Sequence, residues 1–335
     1  MSMNAWMKRL APVCFLALLA GGSSALAAPT AGQTIELHPG WNAVFLEVQP
    51  ADNTTTGVFE SLPVSSVWKW TPKTKSGEFV QNMSETLYND SSWQVYFPTN
   101  RHAAMFNSLY RVYANTAYLI KLAGTNAVTW TLTGEPAVPR YTWKPNVFHL
   151  TGFLLNPAGP QPAVTGFFAP SPQLAGQAVY RLDQEGTWGL VPQPGPEVLS
   201  AGEALWVYAT GETDYMGPVS VKTGDGSGLD YADIAVEKKV KIANLSPTHV
   251  TVRIRDASGS GGPLAYWTMA GDEASWIPLP DPLAISLGAG ESYTLRLAVR
   301  REQFSSEVFE TVIEIASDSG TRVRLPLSAK KNASL

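Results

Sequence analysis

Two tryptophans spaced two positions apart are the side chains in this sequence best suited to hold a ligand. Trp68 and Trp70 flank Lys69, and Trp93 and Tyr96 follow further along the chain. Side chains at i and i+2 share one face of a β-strand, so an extended segment would present both indole rings together. Aromatic rings with apolar faces and polar edges suit the stacking of sugar rings. The pattern predicts a ligand-binding platform at Trp68, Trp70, Trp93 and Tyr96, and its competing interpretation is a set of core residues, because large aromatics are mostly buried.

Asp183 and Glu185 form a second arrangement that could carry out a reaction. Hydrolysis of a glycosidic bond needs two carboxyl groups about 5–10 Å apart, and Trp188 follows at a distance that would let it hold a sugar. The same stretch, residues 182–187, has the composition of a hairpin turn. A glycan-directed hydrolase with dispersed carboxylates is therefore one alternative, and a plain turn is the other.

No local motif for further chemistry occurs in the sequence. It contains no G-x-S-x-G, no H-E-x-x-H and no Gly-rich phosphate loop opening a helix. The four histidines, His38, His102, His149 and His249, are never paired at the spacing of metal ligands. We therefore predict that the chain is not an enzyme and that it has no catalytic residue, no metal site and no cofactor.

The first 27 residues have the pattern of a secretory signal peptide. Lys8 and Arg9 precede an apolar run of eleven residues, which is too short to span a bilayer, and an A-x-A sequence ends at Ala27. The single cysteine, Cys14, lies inside this run, so the mature chain would hold no thiol and no disulfide. No later run is long enough for a transmembrane segment. We expect an exported protein that is secreted, periplasmic or bound at the cell surface.

The composition favours a folded β-protein and disfavours a nucleic-acid binder. The 335 residues suit two or three domains, and 16% of them are charged, against about 25% in an average soluble protein. The chain also holds 28 Gly, 25 Pro and 11 Trp, and its net charge is −4. An acidic chain without a basic cluster is a poor partner for nucleic acid. We expect the partner to be an extracellular protein or a glycan.

The region up to residue 224 contains the same series of apolar blocks twice. Each block is a short run of β-branched and aromatic residues bounded by Gly, Pro or Asn, which is typical of a strand. The blocks occupy residues 40–50, 66–70, 115–122 and 128–134 in the first copy, and 147–157, 178–182, 202–209 and 219–224 in the second. Their order is kept, and a change in spacing places an insertion at residues 71–98. Internal repetition of this kind predicts two tandem, related β-modules, residues 28–137 and 138–224.

Two short helices are expected in the first module. Thr54 would cap one that runs to Leu62. The other covers residues 100–113, where Met105, Leu109 and Val112 have helical spacing.

The string from Leu37 to Asn42, which ends in Gly-Trp-Asn, resembles the opening strand of β-modules found in secreted and surface bacterial proteins. Such modules later carry a Gly-x-Ala-Tyr-Trp strand, which is matched by residues 115–122 and better by residues 202–208. The second copy departs from the pattern because Lys144-Pro145-Asn146 stands where the Gly-Trp-Asn string would be. The resemblance implies an extracellular accessory or structural part and no particular reaction.

The last part of the chain has a different character. Residues 225–228 have the composition of a flexible linker, and residues 229–335 contain several runs of strict alternation that predict half-buried strands. About seven short strands in about 100 residues are typical of an immunoglobulin-like sandwich, and residues 285–295 resemble the middle of bacterial Ig-like domains.

The sequence therefore predicts a mainly β protein with two tandem related small β-modules and a C-terminal Ig-like β-sandwich. Its expected function is non-catalytic: a secreted or cell-surface structural, adhesion or assembly protein that docks a protein partner. A carbohydrate-binding accessory module is the first alternative, and the hydrolase is the second.

Overall fold

The computed structural model of the chain describes residues 29–71, 92–138, 140–224, 226, 228–259, 262–270 and 273–331. The predicted signal peptide, much of the predicted insertion, and two residues of the predicted linker, Asp225 and Ser227, lie outside this set. The fold is mainly β, with 21 strands in five sheets in the described part of the chain. No helix in that part is long and apolar enough to cross a membrane.

The first module consists of a three-stranded and a four-stranded antiparallel sheet. Its strands are β1 (Ala31–Leu37), β2 (Gly40–Leu46), β3 (Val48–Pro50), β4 (Val64–Trp70), β5 (Trp93–Tyr96), β6 (Thr116–Leu122) and β7 (Val128–Pro136). Their orders are β1-β7-β3 and β2-β6-β4-β5. In β7, Trp130 and Leu132 are buried, whereas the intervening threonines are exposed, so the alternation read from the sequence places one face against a core.

The helix expected after Thr54 forms, and it is shorter than expected. It is α1 (Thr55–Phe59). The hydroxyl of Thr54 accepts a hydrogen bond from the backbone N–H of Gly57 at 3.1 Å, which is the N-cap arrangement.

The helix predicted over residues 100–113 is wrong, because the backbone there bonds to β5: the N–H groups of Ser108 and Leu109 donate to the carbonyl of Val95 at 2.8 and 2.9 Å. Only a 3₁₀ turn, His102–Phe106, forms. The side chain of Asn107 accepts from the N–H of Phe97 at 2.7 Å and donates to its carbonyl at 3.0 Å. These bonds, together with the exposure of residue 105, remove the apolar helical face that the spacing had indicated.

The second module has the strand order of the four-stranded sheet in the first. Its elements are β8 (Val147–Gly152), α2 (Val164–Phe168), β9 (Val179–Leu182), β10 (Trp188–Leu190) and β11 (Ala204–Ala209). The order β8-β11-β9-β10 matches β2-β6-β4-β5 strand for strand. Each module also carries a five-residue helix at the same place in the chain: α1 precedes β4, and α2 precedes β9.

The strand at Val219–Thr223 lies in the C-terminal sheet, whereas the sequence placed it at the end of the second module. It is β12, and it pairs with the next long strand along the chain, β14 (Glu237–Asn244). In the first module the corresponding strand, β7, pairs with β1 and β3. Residues 140–146 of the second module form no strand equivalent to β1, so β12 takes its partner from the sandwich.

The C-terminal domain is an Ig-like sandwich of two five-stranded sheets. Its remaining strands are β13 (Leu229–Asp230), β15 (Val250–Asp256), β16 (Leu264–Ala270), β17 (Glu273–Pro278), β18 (Leu283–Leu287), β19 (Ser292–Val299), β20 (Val308–Ser317) and β21 (Arg322–Lys330). The orders are β12-β14-β19-β16-β17 and β13-β21-β20-β15-β18. Val240 and Leu297 of one sheet share a core with Val252, Ile313 and Leu325 of the other. The outward residues of these strands are mostly polar or charged, so the alternation in the sequence located both faces.

Candidate functional site

Of the four residues predicted to bind a ligand, Trp68, Trp70 and Trp93 lie together, whereas Tyr96 packs into a different core. Trp68, Trp93 and Tyr96 are 6%, 4% and 4% exposed, and Trp70 is half-buried. β4 and β5 bring the tryptophans together, because Trp70 lies opposite Trp93. The ring of Tyr96 lies in the other core, 6.3 Å from that of Phe59. The sugar platform required exposed and coplanar rings at Trp68 and Trp70, and this arrangement is not present.

The rings of Trp70 and Trp93 pack against tryptophans of the second module. Trp206, on β11, is fully buried, and its ring centroid lies 5.4 Å from that of Trp70 and 6.3 Å from that of Trp93. The ring centroid of Trp188, also in the second module, lies 6.0 Å from that of Trp206. The contacts are edge-to-face or tilted, the geometry that aromatic pairs favour. This tryptophan cluster, comprising Trp68, Trp70, Trp93, Trp188 and Trp206, holds the two modules face to face.

The only indication of this cluster in the sequence is that both copies have an aromatic residue in the same block. Trp206 stands in the second copy's version of the block that includes Tyr118 in the first copy. The sequence showed that each module has an aromatic strand, and it could not show that the two sheets face each other. That contact depends on Gly152, since a Cβ there would lie 2.3 Å from Cβ of Phe45.

Asp183 and Glu185 are exposed and lie in the turn between β9 and β10. The carboxylate of Asp183 accepts from the backbone N–H of Thr187 at 2.6 Å, and Gly186 adopts a φ of 89°. These contacts are those of an Asx-stabilised hairpin turn.

His149 is a buried histidine with structural partners. Its Nδ1 lies 3.0 Å from the hydroxyl of Tyr141, and its Nε2 lies 3.1 Å from both the backbone nitrogen and the carbonyl oxygen of Lys144. Burial holds the pKa of His149 below its usual value and raises that of Tyr141. Among the described residues, no group of three or more His, Cys, Asp or Glu side chains could hold a metal ion.

The outer face of the sheet β12-β14-β19-β16-β17 carries an arrangement that the sequence analysis did not find. The guanidinium of Arg296 lies 4.6 Å from the ring centroid of Trp267 and 5.5 Å from that of Trp276. Glu237 also pairs with it, with 2.6 Å between Glu237 Oε2 and Arg296 Nη2. Both rings are half-buried, so each keeps a surface in solvent.

The strand register explains this grouping. Lys239 lies opposite Arg296 across β14 and β19, and Trp267 lies opposite Trp276 across β16 and β17. The residues are far apart in sequence and meet only as cross-strand neighbours. The alternation of Arg296 with buried leucines indicated a wet, charged face, but it did not indicate which residues would be adjacent.

Positive charge dominates this face. Lys239 and Lys241 are exposed and have no hydrogen-bond or ion-pair partner in the described part of the chain. The neighbouring guanidinium holds the pKa of Glu237 below its usual value, and the carboxylate in turn raises the pKa of Arg296. We call this set, comprising Lys239, Lys241, Trp267, Trp276 and Arg296, the outer sheet face.

No family model matches the chain, and no curated protein matches it significantly. Solved structures with similarity include a PapD-like domain of human CEP192, with 9% identity and a TM-score of 0.23 over 35% of this chain and 87% of that one. A chaperone–tip adhesion subunit complex of the Csu pili of Acinetobacter baumannii has 19% identity and a TM-score of 0.21 over 31% and 49%. The MSCRAMM ACE of Enterococcus faecalis, which binds its ligands by the collagen Hug model, has 10% identity and a TM-score of 0.20 over 90% of this chain and 84% of that one.

Proposed function

We propose that this chain is a non-catalytic exported protein that acts in adhesion or assembly by docking a partner protein on the outer sheet face. The observation that carries the proposal is the position of Arg296 between Trp267 and Trp276. Tryptophan and arginine are the residue types that most often dominate the binding energy of protein interfaces. Here three of them meet on one solvent-facing surface.

The arrangement is pre-organised, which lowers the cost of binding. Arg296 makes two hydrogen bonds to Glu237, at 2.6 and 3.1 Å, in addition to its contacts with the two rings. A side chain that is already ordered loses less conformational entropy when a partner covers it. The free ammonium groups of Lys239 and Lys241 favour a partner with acidic residues.

The edge of β17 offers a second element of recognition. β17 is the last strand of its sheet, and the N–H of Leu279 donates to the carbonyl of Leu264 at 3.0 Å. Antiparallel pairs alternate between bonded and non-bonded positions, so Trp276, three residues earlier, directs its N–H and carbonyl away from β16. An extended partner segment would add to this edge and contact the outer sheet face at the same time.

The two modules would act as the support for this surface. The shared strand order and the two five-residue helices support the inference that they are copies of one unit. Because the tryptophan cluster joins them, they would present the sandwich from a rigid base.

The glycan alternatives have less support. The planes of Trp267 and Trp276 meet at 65°, so the two rings do not form a flat platform for a sugar. Asp183 and Glu185 serve a turn. We therefore keep glycan binding as an outcome of the test.

The test is a binding assay with the mature protein against extracellular and cell-envelope proteins of its source and, in parallel, a glycan array. A partner identified by capture is purified, and its Kd is measured for wild type, Trp276→Ala and Arg296→Ala. We expect each variant to bind about tenfold or more weakly, since hot-spot residues contribute about 2 kcal/mol or more. Leu190→Ala is the control, because Leu190 is 61% exposed and lies in the second module. Unchanged binding in both variants, or a glycan that binds while no protein does, would contradict the proposal.

A further inference from the structure

A cleft of about 750 Å³ lies between the second module and the sandwich. Its volume is in the range of small-molecule sites, which often form where two domains meet. The second module contributes Pro170 and Met216, and the sandwich contributes Ala243 and Leu245. Ala243 follows Lys241 by two positions on β14 and lies on the same face of the sheet, so the cleft beside Lys241 has an apolar lining.

The walls are held in place by contacts between the two domains. The N–H of Arg322 donates to the carbonyl of Leu154 at 3.0 Å, and the N–H of Asn156 donates to the carbonyl of Gly320 at 2.8 Å. Gly217 passes between the domains with a φ of 150°, and a Cβ at that position would lie 3.2 Å from Phe167 and from Thr321. The cleft is therefore a fixed feature of the domain junction.

The rim of the cleft is cationic. Of the described residues that line it, Lys222 and Lys241 are cationic and Asp214 is acidic. Asp214 pairs with Lys222 at 2.7 Å. Lys241 has no such partner in the described part of the chain. A positive rim is unusual on a chain whose net charge is −4.

The two lysines lie directly opposite each other on adjacent strands. Lys222 of β12 is the register partner of Lys241 of β14. Like charges directly opposite each other destabilise a sheet. Asp214 neutralises the charge of Lys222, and Lys241 keeps its charge without a counter-ion among the described residues. An anion at the rim would compensate the charge of Lys241.

We propose that this cleft binds an organic anion whose apolar body enters the cleft and whose acidic group pairs with Lys241. The ligand class combines a carboxylate with an aliphatic or aromatic body. The proposal does not depend on the docking function of the outer sheet face.

The test uses 1-anilinonaphthalene-8-sulfonate, a fluorescent anion with an apolar body, as the reporter on the full mature protein. Octanoate and octanol compete as a matched pair, because they share an apolar chain and differ in charge. We expect saturable binding of one reporter per chain, and we expect octanoate to displace it at about a tenfold lower concentration than octanol. The variant Lys241→Glu should weaken octanoate about tenfold or more, whereas Lys330→Glu, at an exposed position outside the cleft, should not.

Two further variants keep the test decisive. Lys241→Gln removes the charge with little effect on the strand, and it should bring octanoate and octanol to similar potency. Ala243→Trp fills the cleft from β14 and should abolish reporter binding. The proposal fails if the reporter does not bind saturably, if octanol competes as well as octanoate in wild type, or if Lys241→Gln leaves the preference for octanoate intact.

Discussion

The carboxylate of Glu47 and the guanidinium of Arg324 meet across 277 positions of chain, with 2.8 Å between Glu47 Oε2 and Arg324 Nη2. Arg322 donates to the same oxygen at 3.0 Å. The side chains of Glu47 and Arg324 are 3% and 9% exposed, so the contact lies almost entirely out of water. Arg324 also donates to the carbonyl of Gly32 at 2.9 Å. The first module is therefore fastened to the last strand of the sandwich as well as to the second module.

Removal of Glu47 should destabilise the protein strongly. In Glu47→Ala two guanidinium groups stay buried without their counter-charge, and the loss of one partner from a buried ion pair costs about 3–5 kcal/mol. Urea unfolding at pH 7 measures the change. Asp214→Asn is the matched control, because the Asp214–Lys222 pair is 72% and 64% exposed, and exposed pairs contribute about 0–1 kcal/mol. Equal effects of the two substitutions would show that the Glu47 contact is not buried in solution.

Trp68→Phe should cost more than Trp93→Phe, although both remove the same atoms from one cluster. The indole N–H of Trp68 donates to the hydroxyl of Ser66 at 2.9 Å, and Ser66 is itself buried. The indole N–H of Trp93 has no hydrogen-bond partner among the residues that the structure describes. A lost buried hydrogen bond costs about 1 kcal/mol, so we expect a difference of that size in the free energies of unfolding. The opposite ranking would contradict the hydrogen-bond assignment.

A methyl group at position 152 should disturb the contact between the modules. A Cβ there would lie 2.3 Å from Cβ of Phe45 and 2.5 Å from the carbonyl oxygen of Glu203. Neither the backbone nor a core phenylalanine can move away cheaply, so Gly152→Ala should lower the free energy of unfolding by about 1–3 kcal/mol. Gly189→Ala is the control, because no atom lies within 4 Å of a Cβ there. Calorimetry of the two variants should show a lower Tm only for Gly152→Ala.

The sequence predicted those elements whose burial pattern is local. Strict alternation located the sandwich strands, since each inward residue is two positions from the next, and the hydroxyl of Thr54 located the start of α1. The prediction from the sequence failed over residues 100–113, because helical spacing in isolation does not show that Asn107 will bond to Phe97. It could not locate Arg296 beside Trp267, because that contact depends on strand register.

The predicted site illustrates the same limit. Trp68 and Trp70 are on one strand, as expected from their spacing, but their exposure depends on whether another sheet covers them. The covering residue, Trp206, belongs to the second module, and no local pattern indicates which faces of two modules meet. The interpretation of these rings as core residues needed the three-dimensional contact.

Acid should destabilise the protein through His149. Burial lowers the pKa of this histidine in the folded state below its usual value of 6.5, while the unfolded chain retains that value. At pH 7 both states are mainly neutral. As the pH falls below 6.5, the unfolded state binds a proton that the folded state resists. The free energy of unfolding therefore decreases, by at most about 1.4 kcal/mol per pH unit, until the folded-state pKa is reached.

Urea unfolding at pH 7, 6 and 5 measures this slope for wild type and for two variants. His149→Gln should lose the slope that this group contributes, and His102→Gln, at an exposed position, should retain it. If wild type and His149→Gln lose stability in parallel between pH 7 and 5, His149 is not the group that resists protonation.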